Sequence, residues 1–365
     1  MSLTSLIAIL ILFFASITAF SFLLNGLLLK FSKTLGIRNN NETIIRWSIT
    51  SKPALGGISF FICFLISVAG YAVFFSENKP LYHDKQLLGF LASAGIAFLM
   101  GLSDDAYNTK PLFKLTTQII CGIILVFSGV SISIFENNFA NYLLTIIWVV
   151  GMMNSINMLD NMDAIAAVVS SFIIFSAIAL FFINSHFSIL YLLMMAGVLA
   201  SLTGFLFYNW HPSKIFMGDT GSQFLGVFLA AIGILFFWNN GAETYLLPEA
   251  KAKHIMVVAL IFIIPIADTT IVTVNRLLRR QSPFVGGRDH TSHALSYLGF
   301  SDRKVALIYA GISLISFVFV LIIYNINEGW NYLYFGLFAV YFALVFFTLF
   351  FCSRIEKVKQ KIDVQ

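Results

Sequence analysis

The stretch NWHPSKIFMGDTGSQFLG, residues 209–226, sets Asn, His, Lys, Asp, Thr and Ser between two long apolar runs. Its Asp219-Thr220-Gly221-Ser222 turn brings a carboxylate and two hydroxyls beside Gly218 and Gly221, where the backbone can approach a phosphate closely. Ser222 is placed to cap the helix that follows, and a helix N-terminus offers N–H groups and a positive dipole end to an anion. Phe216, three residues before Asp219, can stack on a base or pack among the chain's 40 phenylalanines.

Three further clusters share that character. Asp104-Asp105 close an apolar run in SDDAYNTKPLFKLTTQ, and Lys114 and Gln118 follow at i,i+4 on a helix starting after Pro111. Adjacent carboxylates with a nearby ammonium suit phosphate chemistry, although Asp-Asp followed by Tyr, Asn and Pro is also an ordinary turn. In NSINMLDNMDAIAA, the residues Asn154, Asn157, Asp160, Asn161 and Asp163 recur three or four apart, which predicts one polar helical face at a membrane boundary. Amide and carboxylate oxygens are hard ligands suited to Mg²⁺, with Mn²⁺ the alternative. Interhelical bonding by Asn explains one or two of these residues, not all of them. The last basic loop reads NRLLRRQSPFVGGRDHTSHAL. Its Arg288, His290 and His293 fit anion contact better than zinc, because no third ligand accompanies the HxxH pair. Asp268, in PIADTT, reads as structural or as a supporting partner.

The elements that must position these groups are membrane helices. With 59% hydrophobic and 11% charged residues, the chain is expected to be an all-α polytopic integral membrane protein. Cys63, Cys121 and Cys352 sit in or beside apolar runs without CxxC spacing, which argues against a disulfide framework or a metal site. Residues 1–29 carry no charge, so the basic region of a cleavable leader is missing and the first helix is expected to stay. Runs of spanning length fall at about 3–29, 54–75, 87–103, 113–134, 142–160, 164–184, 188–208, 223–238, 253–275, 305–324 and 331–352, about eleven helices, with 223–238 the shortest. Eighteen Lys and Arg collect in one set of loops and four in the other, which predicts the N-terminus outside and the C-terminus cytoplasmic. Every polar cluster then falls at a cytoplasmic helix end. Residues 1–365 read as a single transmembrane domain, with a site drawn from loops at about 31–53, 104–114, 154–164, 209–222 and 277–303. Arg38, Arg46 and Lys52 in the first of these loops read as solvated positive-inside charge. No nucleic-acid partner is expected.

These residues resemble the polyprenyl-phosphate N-acetylhexosamine-1-phosphate transferases, the family that includes phospho-MurNAc-pentapeptide translocase. The match runs through SDD, Lys114 and Gln118 at 103–118, NSINMLDNMDA at 154–164, NWHPSKIFMGDTGS at 209–222, and PIAD through GGRDHTSH at 265–293. The resemblance implies Asn157 and Asp219 as Mg²⁺ ligands, with Asp104, Asp105, Lys114, Asp160 and Asp163 lining the catalytic pocket. It also implies Asn154, Asn209, Phe216, Arg288, His290 and His293 as substrate contacts. Two positions depart from the family pattern: Ala164 stands where a Gly is common, and Ser292 replaces the middle histidine of an HxHH motif. Eleven spans and the absence of a triple-His run point to the GlcNAc-1-phosphate branch.

The implied reaction joins UDP-HexNAc and undecaprenyl phosphate in a bacterial inner membrane, at the cytoplasmic face, with a homodimer left open. Two rival readings are an Mg²⁺-dependent intramembrane prenyltransferase, which would show DxxxD spacing, and an ion-coupled transporter, which would hold its carboxylates near the bilayer midplane.

Overall fold

The computed structural model describes residues 3–32, 52–75, 83–183, 188–239, 248–282, 287–326 and 330–355. Their helices are α1 (Leu3–Ser32), α2 (Gly56–Phe74), α3 (Lys85–Tyr107), α4 (Pro111–Phe127), α5 (Asn138–Leu159), α6 (Ile165–Ile183), α7 (Ile189–Asn209), α8 (Gly218–Gly233), α9 (Pro248–Ile261), α10 (Ile263–Leu278), α11 (Thr291–Tyr297), α12 (Asp302–Asn325) and α13 (Tyr332–Cys352). Among the described residues, nine helices are long and apolar enough to cross a bilayer, and α9 with α10 makes a tenth span bent by 78°. Helix α4 has 17 residues and accounts for the remaining expected span. The chain is a multi-pass membrane protein. Much of the first basic loop and residues 283–286 of the last one lie outside the described residues.

Helix α8 forms the axis of the bundle. It packs on α2, α3 and α5, and from Thr220 to Gly233 every side chain is buried. A π-helical turn, Ile234–Trp238, continues α8, and the start at Gly218 lengthens the expected run at 223–238 to a span of 21 residues. The α8 run reads as uniformly apolar because it is surrounded by protein on all sides. At the periphery, α1 and α13 turn Ile11, Leu12, Leu23, Leu333, Leu337 and Leu344 outward, a surface that only lipid accommodates.

Three local boundaries differ from the sequence reading. Helix α8 starts at Gly218, so Ser222 lies inside it and is not its cap. Helix α5 stops at Leu159, which takes Asp160, Asn161 and Asp163 off the helical face and into a tight turn. The expected span at 253–275 is broken around Phe262, three residues before Pro265. That proline has no N–H to donate to the carbonyl of Ile261, so the helical ladder is open at the bend.

Candidate active site

The ends of α3, α4, α5 and α8 converge on Asp219. Lys114 Nζ lies 3.1 Å from Asp219 Oδ2 and 2.5 Å from Asp104 Oδ2. The carboxyl groups of Asp104 and Asp219 are themselves within hydrogen-bonding reach of each other. Asn157, on the last turn of α5, donates its amide to Asp219 Oδ1 and to Ser222 Oγ. The other oxygen of Asp104 accepts Thr109 N at 2.8 Å and Thr109 Oγ1 at 2.5 Å, tying the acid to the α3–α4 turn. Pro111 at the first position of α4 then aims Lys114 back over that turn.

Asp105 plays a different part. Its Oδ1 accepts Asp219 N at 3.0 Å, and its Oδ2 accepts Thr220 N at 2.9 Å and Thr220 Oγ1 at 2.6 Å. Asp160 accepts the N–H of Gly218. Two carboxylates from α3 and the 160–163 turn therefore occupy the first N–H groups of α8, and the expectation that these groups are free to bind phosphate does not hold. The carboxylates already supply the negative charge that a helix start favours. Gly218 sits at φ +72, and a Cβ there would meet Asp105 Oδ2 at 2.6 Å, so the turn requires glycine. Burial and the neighbouring charges of Asp219, Asp105 and Asp163 push the Asp160 carboxyl well above the usual carboxylate range.

Asp163 faces away from Asp219. Its oxygens accept Ser213 N at 2.9 Å and Ser213 Oγ at 2.6 Å, and His211 Nδ1 stands 3.0 Å away. Lys52 Nζ is 3.7 Å from Asp163 and 5.0 Å from the centre of the Phe216 ring. Burial works against the charge on Asp163, but the Ser213 bonds, Lys52 and His211 prevail and hold its carboxyl below the ordinary value. Asp302, in the first turn of α12, comes to 3.6 Å from His211 Nδ1, and the ligand-type atoms of Asp163, His211 and Asp302 lie within 4.8 Å of one another. With Lys52 and Ser213 already on Asp163, this group is a clamp joining three segments. Phe216 is half-buried, and its backbone pairs with residues 53–56 through Phe216 N to Pro53 O and Gly56 N to Phe216 O.

Two residues expected at the substrate are braces in this structure. Asn209 is buried, with Oδ1 accepting Ala164 N at 3.0 Å and Nδ2 donating to Ile215 O at 2.9 Å. Asn154 and Gln118 exchange amide bonds of 2.8 and 3.3 Å, and Gln118 also donates to Gln223 of α8 at 3.1 Å. Ala164, at the family's Gly position, has φ +66, a left-handed conformation that costs a non-glycine residue about 1 kcal/mol.

The histidine segment borders the 160–163 turn. Ser292 Oγ donates to Asn161 Oδ1 at 2.8 Å, and the His290 and His293 rings lie 5.5 Å apart. Burial, with His290 beside it, pushes the His293 imidazole down to about 3. Arg276 binds Asp289 through Nε at 2.8 Å and Nη2 at 2.6 Å, and burial of Asp289 is outweighed by that guanidinium, which holds its carboxyl low. Arg288 is half-buried in the loop leading into α11. Lys52, Ser213, His211 and Asp302 are the contributors to which sequence reasoning gave no individual role at the site. The acidic first turn after Ser301 is a helix-start signal, yet nothing in its spacing shows that Asp302 faces His211.

Asp104 and Asp219, with the Asn157 amide, concentrate hard oxygen donors around one ammonium. The single lysine does not balance the two carboxylates, and this donor set fits a divalent cation. Residues 87–237, from α3 through the π-helical turn, match the family model described as glycosyl transferase family 4. The chain is 29% identical over 306 residues to a probable undecaprenyl-phosphate N-acetylglucosaminyl 1-phosphate transferase of Bacillus subtilis, covering 81% of this chain and 79% of that one. It is 27% identical over 334 residues to the undecaprenyl-phosphate alpha-N-acetylglucosaminyl 1-phosphate transferase of Escherichia coli K12, covering 85% and 84%. It is 33% identical over 208 residues to the phospho-N-acetylmuramoyl-pentapeptide-transferase of Streptococcus uberis, covering 50% and 58%. The region matched by the family model contains the Asp104, Lys114, Asn157 and Asp219 cluster.

Proposed function

We propose that the protein transfers HexNAc-1-phosphate, with GlcNAc-1-phosphate the first choice, from a UDP-sugar to undecaprenyl phosphate. An oxygen of the lipid phosphate attacks the β-phosphorus of the donor, the bridging bond to the α-phosphate breaks on the β side, and UMP leaves with that oxygen. The carrying observation is the meeting of Asp104, Lys114, Asn157 and Asp219 at one end of the bundle. The names of the relatives support the substrate classes.

The lipid phosphate has a second pKa near ~6 and is already mostly dianionic at neutral pH, so a general base adds little. The larger barrier is the approach of two anions. Lys114, held by two carboxylates, is positioned to neutralise a phosphate oxygen, and Arg288, in the loop before the histidine segment, would supply a second cation. Asp219 and Asn157 would hold Mg²⁺, with Asp104 beside them, and the bound ion would polarise the diphosphate and template the two phosphates. Asp105 and Asp160 fix the start of α8 so that Asp219 presents its carboxylate to the pocket. Phe216, flanked by Lys52, offers a ring face for uracil. The site faces the cytoplasm of a bacterial inner membrane, because the basic loops gather on its side.

The test is UMP release by purified protein with undecaprenyl phosphate and Mg²⁺, across a panel of UDP-sugars. Release that requires lipid, metal and one sugar establishes the reaction and the donor. No release with any donor, from protein with an intact melting transition, refutes it.

A further inference from the structure

Asp268 is fully buried in α10, inside the membrane-spanning part of the chain. Its Oδ1 accepts the N–H of Thr291 at 2.8 Å and the Thr291 hydroxyl at 2.5 Å. Having donated there, the Thr291 hydroxyl accepts from Tyr309 of α12 at 2.7 Å. The other oxygen, Oδ2, lies 2.9 Å from Nδ1 of His290. An ionised carboxylate can only accept, so the imidazole proton must sit on Nδ1. Among the described residues, no hydrogen bond joins Nε2 to a protein group.

A carboxylate is an expensive way to anchor a threonine inside a membrane bundle. Asparagine would accept the same Thr291 bonds, but its amide would face Nδ1 with N–H groups and force the proton to Nε2. The feature that only aspartate supplies is the tautomer. The anchored segment also points at the pocket. Ser292 bonds Asn161 at 2.8 Å, and Thr269, next to Asp268, bonds Ser155 at 2.8 Å on the helix that carries Asn157. The Arg276–Asp289 pair fixes the approach to His290 from the other side.

We propose that Asp268 is a positioning residue that holds His290 in its Nδ1–H form and turns Nε2 to the diphosphate of the nucleotide-sugar donor. The proposal rests on the reaction proposed above. In the complex, Nε2 would take a proton from solvent as the donor binds and donate it as a hydrogen bond to a phosphate oxygen, with Asp268 balancing the added charge. The titratable groups around His290 are Asp268 of α10, the adjoining Asp289, His293 of α11 and Tyr309 of α12 behind Thr291.

The test uses the full chain in detergent with ¹⁵N-labelled imidazole rings. The protein has six histidines, and His290 is assigned by the signal lost in His290→Ala. Wild-type protein is expected to carry the His290 proton on Nδ1, and Asp268→Asn to move it to Nε2. A neutral His290 ring with its proton on Nε2 in donor-free wild type overturns the proposal, as does an unchanged signal in Asp268→Asn. In the UMP assay, Asp268→Asn should lower kcat/KM by about 10²–10⁴-fold, the range from losing an orienting partner to holding the wrong tautomer, and shift its pH profile. The double variant Asp268→Asn with His290→Ala should be no slower than His290→Ala alone, whereas losses that multiply would mean a merely structural role. Thr291→Val should lower the melting temperature and leave the tautomer as it is. Should wild type release no UMP, the reaction fails while the imidazole signals still decide the positioning.

Discussion

Lys114 Nζ stands 3.1 Å from Asp219 Oδ2 across 105 residues of sequence. The same ammonium meets Asp104 at 2.5 Å, so it joins the end of α3 to the start of α8. Replacing Lys114 with methionine keeps the chain length and removes the charge, leaving Asp104 and Asp219 facing each other. The expected result is a fall in kcat of about 10²–10³-fold, the scale of losing one preorganised charge at a phosphate. Lys114→Arg should recover part of it. Measured UMP release within about tenfold of wild type for Lys114→Met would remove the lysine from the mechanism.

Asp105 caps α8 from another helix, which makes it a stability residue as well as a neighbour of the pocket. Asp105→Ala leaves the N–H groups of Asp219 and Thr220 without their acceptor, at about 1–2 kcal/mol. The melting temperature in detergent should fall. Thr220→Val removes only the hydroxyl bond of 2.6 Å, and the two changes together should be less than additive. Full additivity would mean that the hydroxyl bond contributes nothing.

The helices were legible in the sequence because an apolar run of spanning length is stable only as a helix in lipid or enclosed by other helices, and the clusters were legible because carboxylates are rare at such positions. What the sequence could not convey was which way each acid turns. Asp104 and Asp105 are adjacent, yet one binds Lys114 and the other caps α8, since successive residues on a helix point about 100° apart. Asp160 and Asp163 likewise split, one toward Gly218 and one toward Ser213, because α5 ends at Leu159 and the turn re-aims both. Periodicity assumes that a helix continues, and it gives no sign of a stop inside a polar run. Lys52 looked like one more positive-inside charge, and only the pairing of residues 53–57 with 216–217 carries it to Phe216.

Gly101 lies where α3 crosses the first turn of α8. A Cβ there would come within 2.6 Å of the Asp219 carbonyl carbon and of Thr220 Cα, both backbone atoms that cannot swing aside. Gly101→Ala should therefore cost about 1–3 kcal/mol as overpacking and displace Asp219 from Lys114. The expected signature is a large loss of kcat joined to a lower melting temperature. Gly151, where an added Cβ meets nothing within 4 Å, is the control, and Gly151→Ala should leave both unchanged. Equal behaviour of the two variants would show that the crossing does not position Asp219.

Acid should unfold the protein in two stages that separate the histidine segment's groups. His293 is held neutral down to about 3, whereas in the unfolded chain it takes up a proton near its ordinary value of about 6.5. Below about 6.5 the unfolded state therefore binds the extra proton, and stability falls as pH drops from there toward 3. Asp289 is depressed beside Arg276, so its contribution is fully present above the ordinary carboxylate pKa of about 4 and is lost as pH falls below it. Melting temperature in detergent should accordingly decline gently between pH 7 and about 4 and more steeply below. His293→Gln is expected to flatten the upper part alone. Asp289→Asn should lower the melting temperature at neutral pH by removing the charge paired with buried Arg276, and its deficit should shrink as the pH drops below about 4. A deficit in Asp289→Asn that stays constant down to pH 3 would mean that the Arg276 pair does not set the acid limb.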